Sequence, residues 1–412
     1  MKYVINDQLV LSRVPEGPLA TYLGAYGESL SHQGYAERYI HRQVMLAACF
    51  SRWLKRIGVL PQRITSEHPA RYLRARHRRR RPNPGDTAAL DHLLEFLRRE
   101  GVVPAEKIPT RRLTPAEQQA QAYEQHLRQV RGLAEATIHN YVPFIRGFLQ
   151  DRFGGGPLTL SRLCARDVTR FVQRQAEHLH PKRAKLLTTA LRSFLQYTRY
   201  RGDITLDLAA AVPVVAGWWM SSIPRGIAAD HVRQLMASID RRTATGRRDY
   251  AILLLLARLG LRSSEVAFLE LDDIDWNAAA LSIRGKGGRR SELPLPAEIG
   301  KAIAAYLRSG RPHSTSRRVF LRAKAPIRGF QGSSGIGSIV RHRLKHAGID
   351  ATTYGTHQFR HGLATEMLHR GASLGEIGEL LGHHSAETTK IYAKVHLDAL
   401  RTLALPWPGG VR

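Results

Sequence analysis

The assignment of a fold begins with the stretch YGTHQFRHGLAT, residues 354–365. It places His357, Arg360 and His361 within five positions, just before a segment with helical character, and no acidic residue stands among them. Cationic side chains held this close repel one another unless something relieves the charge. Three explanations are open: a solvent-exposed surface, a bound metal ion, or an anion that belongs between the side chains.

The overall composition favours an anionic partner. The 412 residues include 63 lysines and arginines against 34 aspartates and glutamates, which gives a net charge of +29. Hydrophobic residues make up 43% of the chain, and this length is enough for about two or three domains with their own cores. The positive charge is spread along the chain, as in proteins that bind nucleic acids. The alternative is a very basic but inert surface.

Cysteine content and hydropathy restrict the class of protein. Cys49 and Cys164 are far apart and each lies in a helix-like apolar stretch, so we expect two buried thiols rather than disulfides or a zinc site. No apolar run reaches the roughly 20 residues that span a bilayer, and the N-terminal segment lacks the features of a secretory signal. The sequence therefore predicts a soluble, intracellular protein that makes no membrane contact.

An internal repeat appears at an offset of 98 residues. Residues 34–54 resemble residues 132–152, and Phe96 and Phe194 keep the same offset in a second pair of segments. The matched positions of the first pair are Ile40 with Ile138, His41 with His139, Val44 with Val142, and Phe50 with Phe148. Apolar residues recur at helical spacing in all these segments. A duplicated small helical domain is predicted, although any two amphipathic helices share some of this likeness.

Three stretches divide the chain. RARHRRRRPNPGD (74–86) predicts a loop because of its two prolines, and its arginines either lie in solvent or contact a DNA backbone. Residues 203–224 break the helical rhythm and predict a linker to a new domain. Residues 274–296 alternate in short strands around a glycine-rich turn at 285–288, which predicts a hairpin or a three-stranded sheet. Helical patterns return after residue 297, with a capping box predicted at SLGE (373–376).

Four short pieces of the C-terminal half carry the chemistry. They are GLRSSEVAFLELDDIDW (260–276), IRGKGGRR (283–290), HQFRHGLAT (357–365) and LLGHHSAETTKIYA (380–393). Together they resemble the tyrosine recombinases, also called the phage integrase family. The resemblance spans residues 222–396, and more weakly residues 114–202, which are similar to the helical core-binding domain of that family.

The residue types fit cleavage of a DNA phosphodiester even without the family name. Such cleavage needs a nucleophile, neutralisation of charge on the non-bridging oxygens, and a proton for the leaving 5′ oxygen. Arginine suits the oxygens because its guanidinium is planar, permanently charged and bidentate. A tyrosine hydroxyl can attack phosphorus and keep the bond energy in a phosphotyrosine link. No carboxylate cluster suited to Mg²⁺ is evident in the sequence.

The resemblance implies a role for each residue of the motifs. Arg262 and Arg360 would clamp the scissile phosphate, and Lys286 would be the mobile general acid for the leaving hydroxyl. His357 would be the acid/base histidine, His383 a further phosphate donor, and Tyr392 the nucleophile. The supporting residues would be Glu265, on the helical face of Arg262, and His361, which is expected to be structural. The expected DNA contacts outside the catalytic set are Arg78, Arg79, Arg80, Arg81, Arg289 and Arg290.

The sequence leaves several alternative interpretations open. The turn that carries Lys286 could be only a basic loop, and His384 beside His383 leaves open which histidine faces the phosphate. Tyr306 and Tyr354 lie at apolar positions and are interpreted as packing residues. GSSGIGS (332–338) lacks the ending of an ATP-binding P-loop and predicts a flexible entry to a helix. The histidines lack cysteine partners at zinc spacing, so neither a metal nor another cofactor is expected.

The expected architecture is mainly α-helical, with a small antiparallel β-sheet in a tyrosine-recombinase catalytic domain preceded by SAM-like helical domains. The expected boundaries are 1–110 for an N-terminal arm or DNA-binding domain, 111–215 for a core-binding domain, and 216–412 for the catalytic domain. The last segment places Leu397, Leu400 and Leu403 on one helical face. It would dock on a neighbouring subunit, or alternatively on its own domain.

The resemblance implies a site-specific recombinase that acts on double-stranded DNA as a homo-tetramer on paired sites. Integration, excision or transposition of a bacterial mobile element would be its setting, in the cytoplasm and associated with the nucleoid. Accessory recombinases or DNA-bending proteins could assist it. Two alternatives stay open: a type IB topoisomerase-like enzyme that nicks and reseals DNA, and a catalytically silent DNA-binding accessory subunit.

Overall fold

The chain is mainly helical in the computed structural model, and the catalytic segment contains a three-stranded antiparallel sheet. This confirms the expected fold class. The structure describes residues 3–6, 9–11, 14–78, 81, 83–105, 113–215, 226–285, 290–349, 355–383 and 385–395. The chain divides into two units, of which one comprises residues 107–221 and the other residues 1–106 with 222–412. None of the helices described has both the length and the apolar character needed to cross a membrane.

The N-terminal part consists of two short strands followed by four helices. Strands β1 and β2 pair antiparallel. The elements are β1 (Tyr3–Asn6), β2 (Leu9–Leu11), α1 (Leu23–His32), α2 (Glu37–Arg56), α3 (Glu67–His77) and α4 (Asp86–Arg99). The helices enclose a core in which Val44, Phe50 and Leu97 are completely buried. We call α1–α4 the first module.

The unit of residues 107–221 is a second set of four helices. They are α5 (Pro115–Gln129), α6 (Glu135–Phe153), α7 (Ala165–His178) and α8 (Pro181–Tyr200). A capping box at Thr114 and Glu117 fixes the start of α5. The residues after α8 fold back onto this core, where Ile204, Leu208 and Val212 are buried. We call α5–α8 the second module.

Two helices of the first module recur in the second module at the offset of the sequence repeat. Helix α6 begins 98 residues after α2, and α7 begins 98 residues after α3. The equivalent apolar residues are buried in both modules: Ile40 and Ile138, Val44 and Val142, Phe50 and Phe148, Phe96 and Phe194. The sequence repeat therefore corresponds to two matched helix starts, whereas α5 begins 92 residues after α1 and α8 begins 95 residues after α4.

The C-terminal part contains the sheet and the helices around it. Its helices are α9 (Ala229–Ala237), α10 (Ala244–Arg258), α11 (Ser263–Phe268), α12 (Ala297–Ser309), α13 (Ser333–His346), α14 (His357–His369), α15 (Leu374–Leu380) and α16 (Ala386–Thr389). A 3₁₀ turn, Lys390–Val395, follows α16. Helix α10 is the central element, because residues 251–256 are apolar and buried without interruption. Such a helix has neighbours on every side.

The three strands of the catalytic segment form a small sheet in the order β3–β4–β5. They are β3 (Ile274–Asp275), β4 (Ala280–Arg284) and β5 (Arg290–Pro294), and both pairings are antiparallel. This agrees with the strands predicted around the glycine-rich turn. Lys286 and Arg289 lie outside the described residues.

A buried ion-pair network joins α10 to α13. Asp249, which is 2% exposed, accepts hydrogen bonds from the guanidinium of Arg248 at 2.7 Å and from that of Arg343 at 2.7 Å. Arg248 also donates to the carbonyl oxygen of Leu321 at 3.0 Å. Buried charges of opposite sign with satisfied hydrogen bonds hold their elements in one relative position.

Three expectations from the sequence are wrong. The loop predicted over residues 74–86 is shorter, because α3 extends to His77 and α4 begins at Asp86. GSSGIGS is not a flexible entry, because α13 already begins at Ser333. A Cβ atom at Gly335 would lie 2.4 Å from the Phe330 ring, so this glycine permits close packing. Cys164 is exposed rather than buried, because it stands at the N-cap of α7, where its thiol contacts Asp167 at 3.4 Å. Cys49 is partly buried.

Other local predictions agree with the structure. The capping box at Ser373 and Glu376 is present at the start of α15. The sequence also predicts Ser385 as the cap of the helix that carries Tyr392. Ser385 Oγ accepts a hydrogen bond from the Glu387 amide at 3.3 Å, but α16 ends at Thr389 and Tyr392 lies in the 3₁₀ turn that follows. Tyr306 is 1% exposed and packs in the core, as expected. Tyr354 lies outside the described residues.

Candidate active site

Arg360 is the buried centre of the cationic cluster. It lies in the first turn of α14 and is 5% exposed. Its guanidinium donates to the carbonyl oxygen of Gly260 at 2.8 Å and to that of Leu381. Gly260 stands two residues before Arg262, and Leu381 two residues before His383. Arg360 therefore joins three of the four segments that carry the predicted catalytic residues.

Arg262 is held by an acidic partner at the start of α11. Its guanidinium donates to Glu265 Oε1 at 2.7 Å, and its backbone amide donates to Glu265 Oε2 at 2.7 Å. The Glu265 side chain is 6% exposed and the Arg262 side chain 34%. A buried carboxylate thus orients a guanidinium that remains accessible to a ligand, as predicted for this pair.

Tyr392 lies inside the cluster, where it is 1% exposed. Its hydroxyl and Nδ1 of His361 are 2.9 Å apart and form a hydrogen bond. The ring of His383 is parallel to that of Tyr392, with 6.4 Å between centroids, and His383 Nδ1 bonds Thr389 Oγ1 at 2.8 Å. The structure therefore assigns His361 a direct contact that the sequence did not indicate, because 31 residues separate the two partners.

The electrostatics of the cluster favour an anion. Burial lowers the pKa of His357, and the neighbouring Arg360 and Arg262 lower it further. Burial and the proximity of Arg262 lower the pKa of Arg360 to about 10. The pKa of His361 is lowered by burial, by His357 and by Arg360. Burial raises the pKa of Tyr392, and the charge of Arg360 opposes that rise.

The segment that enters the catalytic part is packed directly on α14. The amide of Ile227 donates to the carbonyl oxygen of Gln358 at 3.1 Å. A Cβ atom at Gly362 would lie 2.6 Å from the carbonyl oxygen of Ile227, and one at Gly226 would lie 2.6 Å from Gly362 Cα. Two glycines thus allow the backbone after the interdomain segment to touch the helix that carries His357, Arg360 and His361.

The predicted residues fall into three groups. The structure brings together Arg262, Glu265, His357, Arg360, His361, His383 and Tyr392. Arg78 and Arg81 lie exposed after α3 of the first module, and Arg290 is exposed at the start of β5. Lys286, Arg79, Arg80, Arg289, His384 and the leucines of the last segment lie outside the described residues. Within the described ranges, no three His, Cys, Asp or Glu side chains converge as metal ligands would.

Solved structures share this fold. The XerH site-specific recombinase bound to palindromic difH substrate, in a post-cleavage complex, has a TM-score of 0.56 and 18% identity. The match covers 70% of this chain and 84% of that chain. A lambda integrase tetramer bound to a Holliday junction has a TM-score of 0.52 and 16% identity, with coverage of 73% and 87%.

Sequence comparison establishes the family. Residues 225–398 match the model of the phage integrase family. A protein of Sinorhizobium fredii (strain NBRC 101917 / NGR234) named as an integrase/recombinase, y4rA, is 59% identical over 409 residues, which cover 99% of each chain. The matched region contains the cluster built around Arg360 and Tyr392. The chain belongs to the phage integrase family and is a tyrosine recombinase.

Proposed function

We propose that this chain is a site-specific DNA recombinase that cleaves one strand with Tyr392 and joins it to a new partner strand. The observation that carries the proposal is the position of Tyr392. Its buried hydroxyl lies 2.9 Å from Nδ1 of His361. The positive charge of the Arg360 guanidinium acts to lower the pKa of this hydroxyl. A nucleophile, a base and a buried cation at one point are what phosphodiester cleavage without a protein-bound metal requires.

In the first step, the Tyr392 oxygen attacks phosphorus while the bond from phosphorus to the 5′ oxygen breaks. A 3′-phosphotyrosine forms, and the proton of the tyrosine passes to Nδ1 of His361. The leaving 5′ oxygen takes a proton from Lys286, the role that the family resemblance gives to that residue. Religation reverses these transfers with the 5′ hydroxyl of another strand, so the phosphotyrosine conserves the bond energy and ATP is not consumed.

Charge develops on the two non-bridging oxygens during the attack. Arg262 and Arg360 neutralise it, because each guanidinium has five N–H donors and the contacts to Glu265 and to the backbone do not use all of them. His357, neutral at physiological pH because its pKa is lowered, donates an N–H to the phosphate, and His383 donates a second. Preorganised donors of this kind cost no reorganisation in the transition state.

The proposed setting is a mobile element of a bacterial genome, with two duplex sites held by four copies of the chain and joined through a Holliday junction. The named relative is an integrase/recombinase, and the lambda integrase neighbour is a tetramer on such a junction. In this proposal residues 1–110 and 111–215 bind DNA, and residues 216–412 carry the catalytic site. The leucine-rich last segment docks on a neighbouring copy, and accessory recombinases or DNA-bending proteins assist. The protein acts at the nucleoid.

A nicked suicide substrate that carries the end of the element tests this proposal. Wild type should form a covalent protein–DNA adduct, and Tyr392→Phe should form none. If wild type forms no adduct and behaves like Tyr392→Phe, the chain is a silent DNA-binding subunit. If adducts form but the product is only relaxed supercoiled DNA, with no exchange between two sites, the enzyme acts as a topoisomerase.

A further inference from the structure

A basic groove lies between α2 and α3 of the first module. Its volume is about 660 Å³. Arg52, Trp53 and Arg56 of α2 line one side, and Tyr72 of α3 with Arg78 at the end of α3 line the other. Cys49, Ala75 and Arg76 complete the lining. The cationic side chains stand on helices and on a helix end, so the scaffold holds them in fixed positions.

Only one of the four arginines that line this groove has a carboxylate partner among the described residues. Arg76 pairs with Asp86 at 2.9 Å. Arg52, Arg56 and Arg78, by contrast, have no ion-pair partner among the residues that the structure describes. Three like charges around one concave surface repel one another, and a ligand with several negative charges would relieve that repulsion.

Aromatic side chains form the floor of the groove. Trp53 is stacked on Phe50, with 6.0 Å between centroids, and is tilted against Tyr72 at 5.7 Å. Trp53 remains partly exposed, whereas Tyr72 is 6% exposed. An apolar face beside guanidinium groups matches a sugar–phosphate backbone, in which deoxyribose alternates with phosphate.

The second module shows that the helical fold does not require the arginines and the tryptophan of the groove. At the offset of 98, Gln150, Asp151 and Gly154 stand where the first module has Arg52, Trp53 and Arg56. Asp151 instead pairs with Arg174, the residue equivalent to Arg76. The two modules share two matched helix starts and buried positions, yet only the first carries the arginine–aromatic groove. Packing therefore does not account for Arg52 and Arg56, which points to a ligand.

We propose that the groove between α2 and α3 binds the sugar–phosphate backbone of duplex DNA. The first module would then hold DNA apart from the catalytic site of the C-terminal part. Arg79, Arg80 and Arg81 follow directly in the sequence and extend the run of basic residues. This inference rests on the proposed function, because it names the surface through which a recombinase of this family would hold a further stretch of its substrate.

The salt dependence of binding tests the groove. Contacts to phosphates release counterions, so each one adds about 0.9 to the slope of log K against log salt. Arg52→Gln/Arg56→Gln should lower that slope by about 1.8 on a duplex of random sequence. Between 50 and 200 mM salt, the loss of affinity should then be about twelvefold smaller than for wild type. Arg56→Gln/Arg78→Gln provides a second variant, in case the first is misfolded.

A matched control separates groove contacts from net charge. Arg38 and Arg71 are exposed arginines of the same two helices that do not line the groove. Arg38→Gln/Arg71→Gln removes the same charge and should keep the slope close to that of wild type. If the control and the groove variants lower the slope equally, the effect is one of overall charge and the groove proposal is overturned.

Cys49 offers a direct measure of occupancy. It is partly buried in the lining of the groove, so bound DNA should slow its alkylation, followed by mass spectrometry of the peptide. Protection should be lost in Arg56→Gln/Arg78→Gln, a variant that leaves the Arg52–Cys49 contact in place. Unchanged alkylation of wild type at saturating DNA would refute the site. Failure of the proposed function is distinguishable, because it appears as a wild type that forms no adduct with the suicide substrate.

Discussion

The hydrogen bond between His361 and Tyr392 makes His361 the residue whose replacement is most informative. We expect His361→Asn to slow cleavage strongly while DNA affinity is retained. The asparagine amide oxygen can occupy the position of Nδ1 and accept the hydrogen bond of the tyrosine, but it cannot take its proton. A purely structural role for His361 would therefore survive this substitution, and a proton-accepting role would not.

The magnitude follows from the acidity of Tyr392. An ordinary tyrosine, with a pKa of about 10, is ionised in only about 1 molecule in 300 at pH 7.5, and burial raises the pKa of Tyr392 above that value. A base at 2.9 Å removes the need for prior ionisation. General bases contribute about 10²- to 10⁴-fold, so His361→Asn should slow adduct formation about 10²- to 10³-fold, or about 3–4 kcal/mol.

The dependence of the rate on pH provides the diagnostic measurement. The pKa of His361 is lowered below its ordinary 6.5, so the neutral, proton-accepting form persists to lower pH. The wild-type rate should fall only as the pH drops through this lowered value. In His361→Asn the residual rate should instead rise about tenfold per pH unit above neutrality, because only tyrosine that is already ionised can attack.

Single-turnover cleavage of the suicide substrate, with DNA affinity measured in parallel, provides the assay. A bridging 5′-phosphorothiolate supplies the control, because its sulfur leaves without needing a proton. That substrate should rescue Lys286→Ala, which lacks the proposed acid, and should not rescue His361→Asn. The reasoning is refuted if His361→Asn cleaves within threefold of wild type, or if the phosphorothiolate restores its rate.

Three other substitutions test the support of the site. Glu265→Gln should slow adduct formation about 10–100-fold at unchanged DNA affinity, because Arg262 loses the carboxylate that orients it; an unchanged rate would contradict this. Gly362→Ala should destabilise the C-terminal part by about 1–3 kcal/mol in calorimetry, because its Cβ would meet the Ile227 oxygen at 2.6 Å. Gly337→Ala, in open space on α13, should not destabilise, and equal effects would refute the packing argument. Asp249→Asn should cost about 3–5 kcal/mol, since the buried Arg248 and the partly buried Arg343 lose their counter-charge. Asp240→Asn, in an exposed pair with Arg242, should leave the unfolding midpoint near that of wild type.

Local rules and motif spacing predicted a large part of the molecule. The capping box at Ser373 depends on residues three apart, and the sheet depends on alternation around a glycine-rich turn. Both can therefore be predicted from a few neighbouring residues. The offset of 98 predicted the repeated helices because buried positions such as Phe50 and Phe148 must recur where a fold recurs. Glu265 contacts Arg262 as expected, but the geometry differs from the expected shared helical face: Arg262 is the extended N-cap of α11, and Glu265, three residues later, reaches back to it as in a capping box.

The errors arose where tertiary contacts decide. The glycines of α13 suggested flexibility, yet Gly335 is there because the Phe330 ring leaves no room for a side chain. Cys164 was expected in a core because its neighbours are apolar, but it occupies an exposed helix start. The hydrogen bond between His361 and Tyr392 was not predicted, because its partners are 31 residues apart and no local periodicity encodes such a contact. The structural role expected for His361 is a separate prediction, which the His361→Asn experiment tests.

The buried Arg360 explains why residues so far apart in the sequence act at one point. Its guanidinium bonds the backbone beside Arg262 and the backbone beside His383, so its charge is placed by main-chain atoms rather than by a counter-ion. Carbonyl dipoles offset only part of the cost of burying a charge, and the lowered pKa of Arg360 reflects the remainder. A carboxylate in this position would remove that cost and would also occupy the place of the phosphate. The absence of an acidic residue from HQFRHGLAT is therefore the condition under which the substrate itself supplies the missing negative charge.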